Sequence, residues 1–406
     1  MKEFKNKLYG DGIHDDLPAI QEMLDSGMTL VYLPPVEKNY LITGTIYMHS
    51  NQQLKMDRYT VIRLAPNSNC SMIEDAEGIE WNENISVCGG IWDMNGGEQA
   101  PNPYHFATPG VNDGIKARDY YAKLNYSFDL DYKMPGYTGF CFRFYKVRGF
   151  EFSDLTIKNP VTYGLQIAYV EDFTVENLVF DYRVGTPKLW NLDGVHVEGY
   201  CKNGYIKNLK GTCHDDLVAI TSDDGCFGPI ENIVVDGVYA YNTHSAVRLL
   251  SRINPVKNIH VTNVFGTYYV YCVTLSKYTT EPGSSGFENI TVDNVYASIC
   301  EGTADVKGNY SPLIAIGPDI ELKAIKFANI FRNETRCSKA TIGIGANTTV
   351  RDLSVINCVQ TNSTGSPIAL IENNGTIEKL VSINNDAGDD EIIGGSGTIG
   401  QLTTLP

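Results

Sequence analysis

The chain has 406 residues, of which 43% are hydrophobic and 20% charged, enough for one large or two ordinary domains with a buried core. Its formal net charge of −16 argues against a nucleic-acid partner, which favours a basic surface. There is no run of about 18 apolar residues, so no membrane partner is expected. The opening MKEFKNKLYGDG lacks an apolar signal segment, and we expect a cytoplasmic protein. An extracellular or virion location stays open if a leader has been removed or the chain is phage-derived.

Ten cysteines lie between Cys70 and Cys358, and none forms a CxxC pair. Several occur within apolar runs, such as Cys141 in GFCFRF and Cys272 in VYCVTL. We therefore expect buried thiols, with disulfides or a zinc site as the alternative. The sequence implies no cofactor and no metal.

The first predicted element is a helix in DDLPAIQEMLDSG, which follows the triplet His14-Asp15-Asp16. Asp15 or Asp16 can cap its N-terminus, Pro18 falls in the first turn, and Gly27 suits the C-terminal cap. Its apolar residues share one face: Leu17, Ile20, Met23 and Leu24. Such a helix would cover the open end of a repeat structure, so residues 1–30 are predicted to form an N-terminal cap region.

The stretch 97–145 has no regular strand pattern and is rich in Tyr, Pro, Gly and Asp. We expect a loop insertion that walls a cleft, where sugar rings can stack on tyrosine faces. A surface loop that packs on itself is the alternative.

A degenerate repeat of roughly 23 to 35 residues, the range of solenoid coils, follows this insertion. Each copy has an apolar residue, two mostly polar residues and then an alternating strand. The copies are FSDLTIKN from Phe152, VENLVFDY from Val175, CKNGYIKN from Cys201, IENIVVDGV from Ile230, VKNIHVTNV from Val256, FENITVDNV from Phe287, LKAIKFANI from Leu322, VRDLSVINC from Val350 and IEKLVSIN from Ile377.

The period of two within each copy predicts strands, and one strand per coil buries its inner face only if the coils stack. The recurrent asparagines suit turns with left-handed geometry, and their side chains can hydrogen-bond between coils. The sequence therefore predicts an all-β protein, a right-handed parallel β-helix forming one domain over residues 1–406. A β-sandwich with fortuitous similarity is the alternative.

The segment CHDDLVAITSDDG carries acidic residues on both sides of an apolar centre. It follows NLDG by about one coil, and coils stack about 4.8 Å apart, so Asp193 should lie beside Asp215 or Asp216. Clustered carboxylates push their pKa values apart, which supplies the acid and the base that glycosidic cleavage needs. On a regular strand Asp215 and Asp216 would point to opposite faces, so a bend or strand end is required there.

The aspartates after the apolar centre, Asp223 and Asp224, are expected to be turn residues before Gly225, with a calcium site as the alternative. The coil that follows carries His244 and Arg248, and the next carries Lys277.

Taken in order, these motifs resemble the pectin-lyase-like superfamily and, within it, the polygalacturonases of glycoside hydrolase family 28. That family carries Asn-Thr-Asp, Asp-Asp, Gly-His-Gly and Arg-x-Lys motifs. The matching segments are NLD from Asn191, HDD from His214, HSAVRLLS from His244 without the glycines, and LSK ending at Lys277 without the arginine.

The resemblance implies roles for five residues. Asp216 would be the general acid, and Asp193 and Asp215 would activate the water, which gives inversion at the anomeric carbon. His244 would tune the protonation of the acid or bind substrate. Lys277 would bind a substrate carboxylate or hydroxyl.

Further candidates for substrate binding are Asn191, His196 and His214. His196 would reach the cleft from the same strand as Asp193. The lost arginine leaves Arg248 or Arg252 as the partner of a substrate carboxylate.

The predicted function is an inverting glycoside hydrolase acting on a polysaccharide or oligosaccharide, with a uronate-containing, pectin-like glycan as the suggested partner. One alternative is a polysaccharide lyase or epimerase on the same fold. Another is a glycan-binding or depolymerising protein like a phage tailspike. We expect a monomer or a homo-oligomer, including a trimer.

Overall fold

The computed structural model of the chain describes residues 4–76, 80–102, 137–182, 191–277, 286–301 and 311–405. The chain has two compact units. Unit 1 comprises Met1–His196 and Leu209–Asp215, and unit 2 comprises Val197–Asn208 and Asp216–Pro406. Both consist mainly of β-strands that pair in parallel with the strands of neighbouring coils.

Unit 1 begins with the predicted helix, α1, which spans Leu17–Asp25. Pro18 lies in its first turn. Backbone N–H groups in the first turn have no acceptor within the helix, so proline, which has no N–H, costs no hydrogen bond there. Gly27 follows the helix at φ +77°, a left-handed conformation that glycine adopts without strain. Asp16 occupies the N-cap position but makes no side-chain cap hydrogen bond, whereas Asp15 Oδ1 accepts the N–H of Leu17 (3.0 Å), so of the two predicted candidates Asp15 binds the helix N-terminus.

The strands of unit 1 are short and follow α1 directly. They are β1 Leu30–Leu33, β2 Tyr40–Ile42, β3 Ile46–Met48, β4 Gln52–Met56, β5 Val61–Leu64, β6 Ile73–Asp75, β7 Asn82–Cys88, β8 Ile91–Asp93, β9 Phe142–Ser153, β10 Thr156–Lys158, β11 Leu165–Glu176 and β12 Val179–Asp181, with a 3-10 helix at Gly96–Glu98. Two further strands, β13 Val195–Glu198 and β14 Lys202–Thr212, contribute residues to each unit.

Three rows of parallel strands build unit 1. One row runs through β4, β7, β9 and β11, a second through β2, β5, β8, β10 and β12, and a third through β3, β6 and β9. The helix packs on the first strands, since Gln21 Nε2 donates to the Tyr47 carbonyl of β3 (3.0 Å) and Gln52 Nε2 of β4 donates to the Leu24 carbonyl (2.7 Å). It therefore covers the first strands of unit 1 as a cap, as predicted.

Unit 2 contains the remaining strands. They are β15 Asp216–Thr221, β16 Asp223–Asp224, β17 Cys226–Phe227, β18 Ile230–Thr243, β19 Ser245–Leu250, β20 Val256–Tyr268, β21 Val273–Ser276, β22 Gly286–Ile299, β23 Ile314–Ile316, β24 Glu321–Glu334, β25 Ile342–Ile344, β26 Thr349–Ile356, β27 Val359–Asn362, β28 Ile371–Asn373, β29 Thr376–Ile383, β30 Ile393–Gly394 and β31 Thr398–Leu405.

Unit 2 has two main rows of parallel strands, and its core is a stack of like residues. One row runs through β18, β20, β22, β24, β26, β29 and β31, and the other through β15, β19, β21, β23, β25, β28 and β30. Pairing in register places one buried aliphatic residue of each coil above the last: Ile233, Ile259, Ile290, Ile325 and Leu353. Each such residue contributes about 1.5–3 kcal/mol of burial free energy, which explains why the apolar positions of the repeat recur.

An asparagine ladder runs along the turns of unit 2. Asn232 donates to Asn203 (3.0 Å), Asn258 to Asn232 (2.8 Å) and Asn289 to Asn258 (2.9 Å). All four have φ between 55° and 61°, the left-handed region that asparagine tolerates better than most residues. The role predicted for the asparagines is confirmed.

The predicted all-β parallel β-helix fold is confirmed in both units. All ten cysteines are free thiols, seven of them buried. None of the helices in the described ranges has the length and apolarity to cross a membrane. The single-domain organisation stays a prediction, and the expected wall at 97–145 falls largely on residues 103–136, outside the described residues.

Candidate active site

In unit 1, Asp193 is paired with a histidine. It precedes β13, and its Oδ2 lies 2.6 Å from Nδ1 of His196. Both side chains are buried, with exposed fractions of 1% and 0%. A buried carboxylate needs such a partner, because an isolated charge away from water is very costly. The structure buries His196 against Asp193, and its expected part in substrate binding stays a prediction.

The His196 ring belongs to a stack of three rings. It lies on Tyr163 with a centroid distance of 3.8 Å and an interplanar angle of 6°. Phe140 covers the other face of Tyr163 at 4.7 Å and 11°. Stacking on both faces fixes the plane of Tyr163 and, through it, that of the imidazole.

Asn191 connects the NLD segment to Asp215. Its backbone N–H donates to Asp215 Oδ2 (2.7 Å), and its Nδ2 donates to the Tyr163 hydroxyl (3.3 Å). Its φ of 67° is left-handed, which turns the chain so that both groups can be used. The NLD segment therefore contacts Asp215 through the backbone of Asn191, while the predicted position of Asp193 beside Asp215 or Asp216 stays a prediction.

Tyr182 also holds the segment that carries Asp193. The Tyr182 hydroxyl donates to the Asp193 carbonyl (3.0 Å), and Gly164 permits this approach because a Cβ there would lie 2.3 Å from that hydroxyl. His214 Nε2 lies 3.2 Å from the Tyr182 carbonyl. Burial lowers the pKa of His214, which keeps it neutral near pH 7, and its contact is with the protein backbone. Its proposed part in substrate binding stays a prediction.

The chain bends between the two adjacent aspartates. Residues 214 and 215 form a bend, and β15 begins at Asp216. The bend or strand end that the sequence required at this point is therefore present. Asp215 is 5% exposed and Asp216 is fully buried.

In unit 2, Asp216 is surrounded by donors. Arg248 Nε lies 2.9 Å from its Oδ2, the Tyr271 hydroxyl donates to its Oδ1 (3.0 Å), and the Ser245 hydroxyl also donates to Oδ1. An opposite charge and hydroxyl donors all favour the ionised carboxylate. Asp216 therefore lies beside the positive charge of Arg248 and accepts two hydroxyl donors.

Arg248 is committed to acidic partners within the protein. It is 6% exposed, and its Nη2 lies 3.9 Å from Asp224 Oδ2 as well as pairing with Asp216. A guanidinium held between two carboxylates is poorly placed to bind a third. The prediction that Arg248 binds a substrate carboxylate is therefore not supported, and Asp224 is more than a turn residue.

His244 lies close to Asp216. An imidazole nitrogen and a carboxylate oxygen of these two residues approach within 4.8 Å, a pair that could ligate a metal ion. Arg248 already supplies a positive charge to Asp216, which opposes a second cation there. His244 is 5% exposed and meets the rings of Tyr269 and Tyr271 edge-on, with centroids 5.5 and 5.8 Å away.

Asp223 anchors a loop. Its Oδ2 accepts the backbone N–H groups of Arg252, Ile253 and Asn254 at 2.8–2.9 Å. Burial acts to raise the pKa of Asp223, but the hydrogen bonds from Ile253, Asn254 and Arg252 outweigh it and leave the pKa below its usual value. An oxygen that accepts three N–H donors is not available to bind a cation. The alternative of a calcium site therefore cannot use Oδ2 of Asp223.

Two cationic candidates remain for substrate binding. The Arg252 guanidinium lies 6.0 Å from the centroid of the Phe227 ring, and that ring is 49% exposed. Lys277 directly follows β21 and is half-buried.

Three neighbours of the acidic residues were not predicted: Tyr163, Ser245 and Tyr271. Ser245 directly follows His244, so its proximity to the site could have been inferred from the repeat. The tyrosines carry no sequence signal, because tyrosine is frequent throughout this chain.

These features define a parallel β-helix protein with buried, paired carboxylates at the ends of its strands. More specifically, the family model described as Glycosyl hydrolases family 28 matches residues 137–374, which is more than half of the chain. The chain therefore belongs to glycosyl hydrolases family 28. The matched region contains every residue predicted to act in catalysis.

Solved structures with the same fold include enzymes of different activities. An endo-xylogalacturonan hydrolase from Aspergillus tubingensis is 16% identical, with a TM-score of 0.56 and coverage of 98% of this chain and 99% of that chain. A family 28 exopolygalacturonase from Yersinia enterocolitica is 12% identical, with a TM-score of 0.58 and coverage of 97% and 76%. The A-module of a mannuronan C-5 epimerase from Azotobacter vinelandii is 15% identical, with a TM-score of 0.54 and coverage of 98% and 97%. At these identities the likeness concerns the fold.

One curated relative is named for the proteins that it binds. The plasmin and fibronectin-binding protein A of Streptococcus pneumoniae is 34% identical over 103 residues. The alignment covers 21% of this chain and 14% of the relative, so the likeness involves a small part of that protein's length.

Proposed function

We propose that the chain hydrolyses glycosidic bonds of a polysaccharide or oligosaccharide with inversion at the anomeric carbon, using Asp193, Asp215 and Asp216. Membership of a glycosyl hydrolase family supports this reaction class. The observation that carries the proposal is the ion pair between Arg248 and Asp216, because it makes two adjacent aspartates chemically unequal.

Asp215 is the proposed proton donor. Arg248 pairs with Asp216, and the two aspartates are consecutive in the chain. Two adjacent carboxylates disfavour each other's ionised form, so the proposal is that the pair shares one proton and that Asp215 carries it. The family resemblance gave this role to Asp216, but Arg248 lies where it would compete with a proton for that carboxylate.

Asp193 and Asp216 are the proposed bases that activate the attacking water. Asp216 pairs with Arg248, and Asp193 Oδ2 lies 2.6 Å from His196 Nδ1. Inverting glycosidases require an ionised carboxylate opposite the acid.

The proposed substrate contains uronate. Lys277 and Arg252 supply the positive charge that a sugar carboxylate needs, in place of Arg248. The exposed ring of Phe227 beside Arg252 offers a face on which a sugar can stack.

A panel of pectic and neutral polysaccharides tests the proposal. Wild-type protein should release reducing ends from a uronate-containing glycan, and NMR of the first product should show the inverted anomer. Asp215→Asn should abolish release, while Asp352→Asn, a change at an exposed strand residue, should not.

The competing activities give different products. A lyase would produce an unsaturated uronate that absorbs in the ultraviolet. An epimerase would exchange the C5 proton with solvent deuterium without cutting the chain. A glycan-binding protein would retain the polysaccharide on a column and release nothing. Any of these results in place of hydrolysis overturns the proposal.

A further inference from the structure

We propose that Tyr163 is a positioning residue that links two carboxylates of the site, Asp193 and Asp215. This inference rests on the proposed function. Tyr163 acts on Asp193 through its ring face and on Asp215 through its hydroxyl, in each case by way of one intermediate residue.

The ring face controls His196. Tyr163 is sandwiched between Phe140 (4.7 Å, 11°) and His196 (3.8 Å, 6°), so its plane sets the plane of the imidazole. Hydrogen bonding is directional, and only some orientations of the imidazole keep Nδ1 at 2.6 Å from Asp193 Oδ2. The stack therefore determines which way Asp193 points.

The hydroxyl controls Asn191. It accepts the Asn191 side-chain amide (3.3 Å), and the backbone N–H of the same residue donates to Asp215 Oδ2 (2.7 Å). Asn191 sits at a φ of 67°, a conformation that costs free energy unless contacts hold it. Its bond to Tyr163 is one contact that holds this backbone turned toward Asp215.

One side chain is thereby connected to both carboxylates. The bond-breaking step needs a proton donor and a water-activating base at the same moment, and their mutual geometry affects that step more than it affects binding. Loss of the link should therefore lower kcat and leave KM nearly unchanged.

Three variants separate the two connections. Tyr163→Phe keeps the ring stack and removes the hydroxyl. His196→Phe keeps a ring on Tyr163 and removes the donor to Asp193. His196→Asn restores a donor and removes the stack. With the uronate glycan cleaved by the wild-type protein, we expect kcat to fall about 10-fold in Tyr163→Phe and about 100-fold in His196→Phe. The kcat of His196→Asn should be about 10-fold higher than that of His196→Phe.

Tyr296 provides a matched control. It too is stacked on both faces, on Phe265 (5.2 Å, 3°) and on Phe331 (4.7 Å, 11°), in coils away from the acidic motifs. Tyr296→Phe removes a hydroxyl from an equivalent stack and should leave kcat, KM and melting temperature unchanged.

The outcomes distinguish the inference from the function on which it rests. If wild-type protein cleaves a glycan and Asp215→Asn does not, while Tyr163→Phe and His196→Phe keep wild-type kcat, the function stands and the link is wrong. A fall in melting temperature with kcat per folded molecule retained also overturns it, because that indicates a structural role. If the wild-type protein cleaves no glycan, both proposals fail.

Discussion

Two Asp-Asp pairs in this chain follow a histidine, and they have different partners. Asp16 accepts backbone N–H groups from Tyr9 (2.6 Å), Gly10 (3.2 Å) and Leu41 (3.0 Å). Asp216 instead meets the side chains of Arg248, Ser245 and Tyr271.

Both carboxylates are fully buried, so burial does not separate them. Backbone N–H groups carry no net charge and fix the path of the chain, as Asp16 does for two segments of unit 1. An arginine instead places a full positive charge beside Asp216. The identity of the donors, rather than the acidic pair itself, indicates which pair is suited to chemistry.

The largest effect should come from Asp215. We expect Asp215→Asn to lower kcat by about 10²–10⁴, the usual contribution of a general acid, while its melting temperature stays the same or rises slightly. Asp15→Asn, in the equivalent place of the first pair, should keep its turnover per folded molecule. Steady-state kinetics and thermal denaturation of both variants test this. Equal losses of turnover in the two would remove the distinction between the pairs.

Removing the arginine should destabilise the second pair. Arg248→Met leaves Asp216 buried without its ion-pair partner, and we expect the free energy of unfolding to fall by about 3–5 kcal/mol. The double variant with Asp216→Asn should recover much of that loss, because the unpaired charge is gone. Chemical denaturation measures the free energy of unfolding of the single and double variants. If Arg248→Met is as stable as the wild-type protein, the stabilising ion pair is contradicted.

Removing the first pair's anchor should have a smaller effect. Asp16→Ala deprives three backbone donors of an acceptor, and we expect a loss of about 2–3 kcal/mol in the free energy of unfolding, with turnover per folded molecule retained. Exposed Asp352→Ala should change the same quantity by less than about 0.5 kcal/mol. Loss of turnover in folded Asp16→Ala would mean that the pairs have been assigned the wrong way round.

The smallest effect concerns Asp223, which resembles Asp16 in its backbone partners. Its pKa is lowered in the folded protein, so its stabilising contribution is present above the unfolded pKa of about 3.9 and is lost as pH falls through the folded value. Asp223→Asn should therefore cost about 1–2 kcal/mol at neutral pH. The difference from wild type should shrink below about pH 4. Denaturation at several pH values checks this, and a difference that does not depend on pH would contradict it.

The fold was predictable from the sequence because its cause is repeated. The stack from Ile233 to Leu353 and the asparagine ladder each place one residue type at one position of every coil, so the pattern is visible in the chain itself. Coil spacing also relates the NLD and HDD motifs, and Asn191 of the first contacts Asp215 of the second.

The partners of those carboxylates were not predictable. Arg248 was seen in the sequence, but whether it faces Asp216 or a substrate depends on its side-chain conformation. The Tyr163–His196 stack depends on how two rings pack, and coil spacing carries no information about ring planes. The choice between Asp215 and Asp216 as the proton donor depends on such contacts, which motif order alone does not reveal.

The asparagine ladder also bears on how such a chain can change in length. In each coil an asparagine Nδ2 donates to the asparagine Oδ1 of the preceding coil. Asn289 could therefore donate to Asn232 as well as it donates to Asn258. Deletion or duplication of one whole coil would therefore leave every amide paired. Loss of part of a coil would break the alignment of the aliphatic stack and of the ladder together. The protein can therefore gain or lose complete coils during evolution, whereas an insertion or deletion shorter than one coil would disrupt both features.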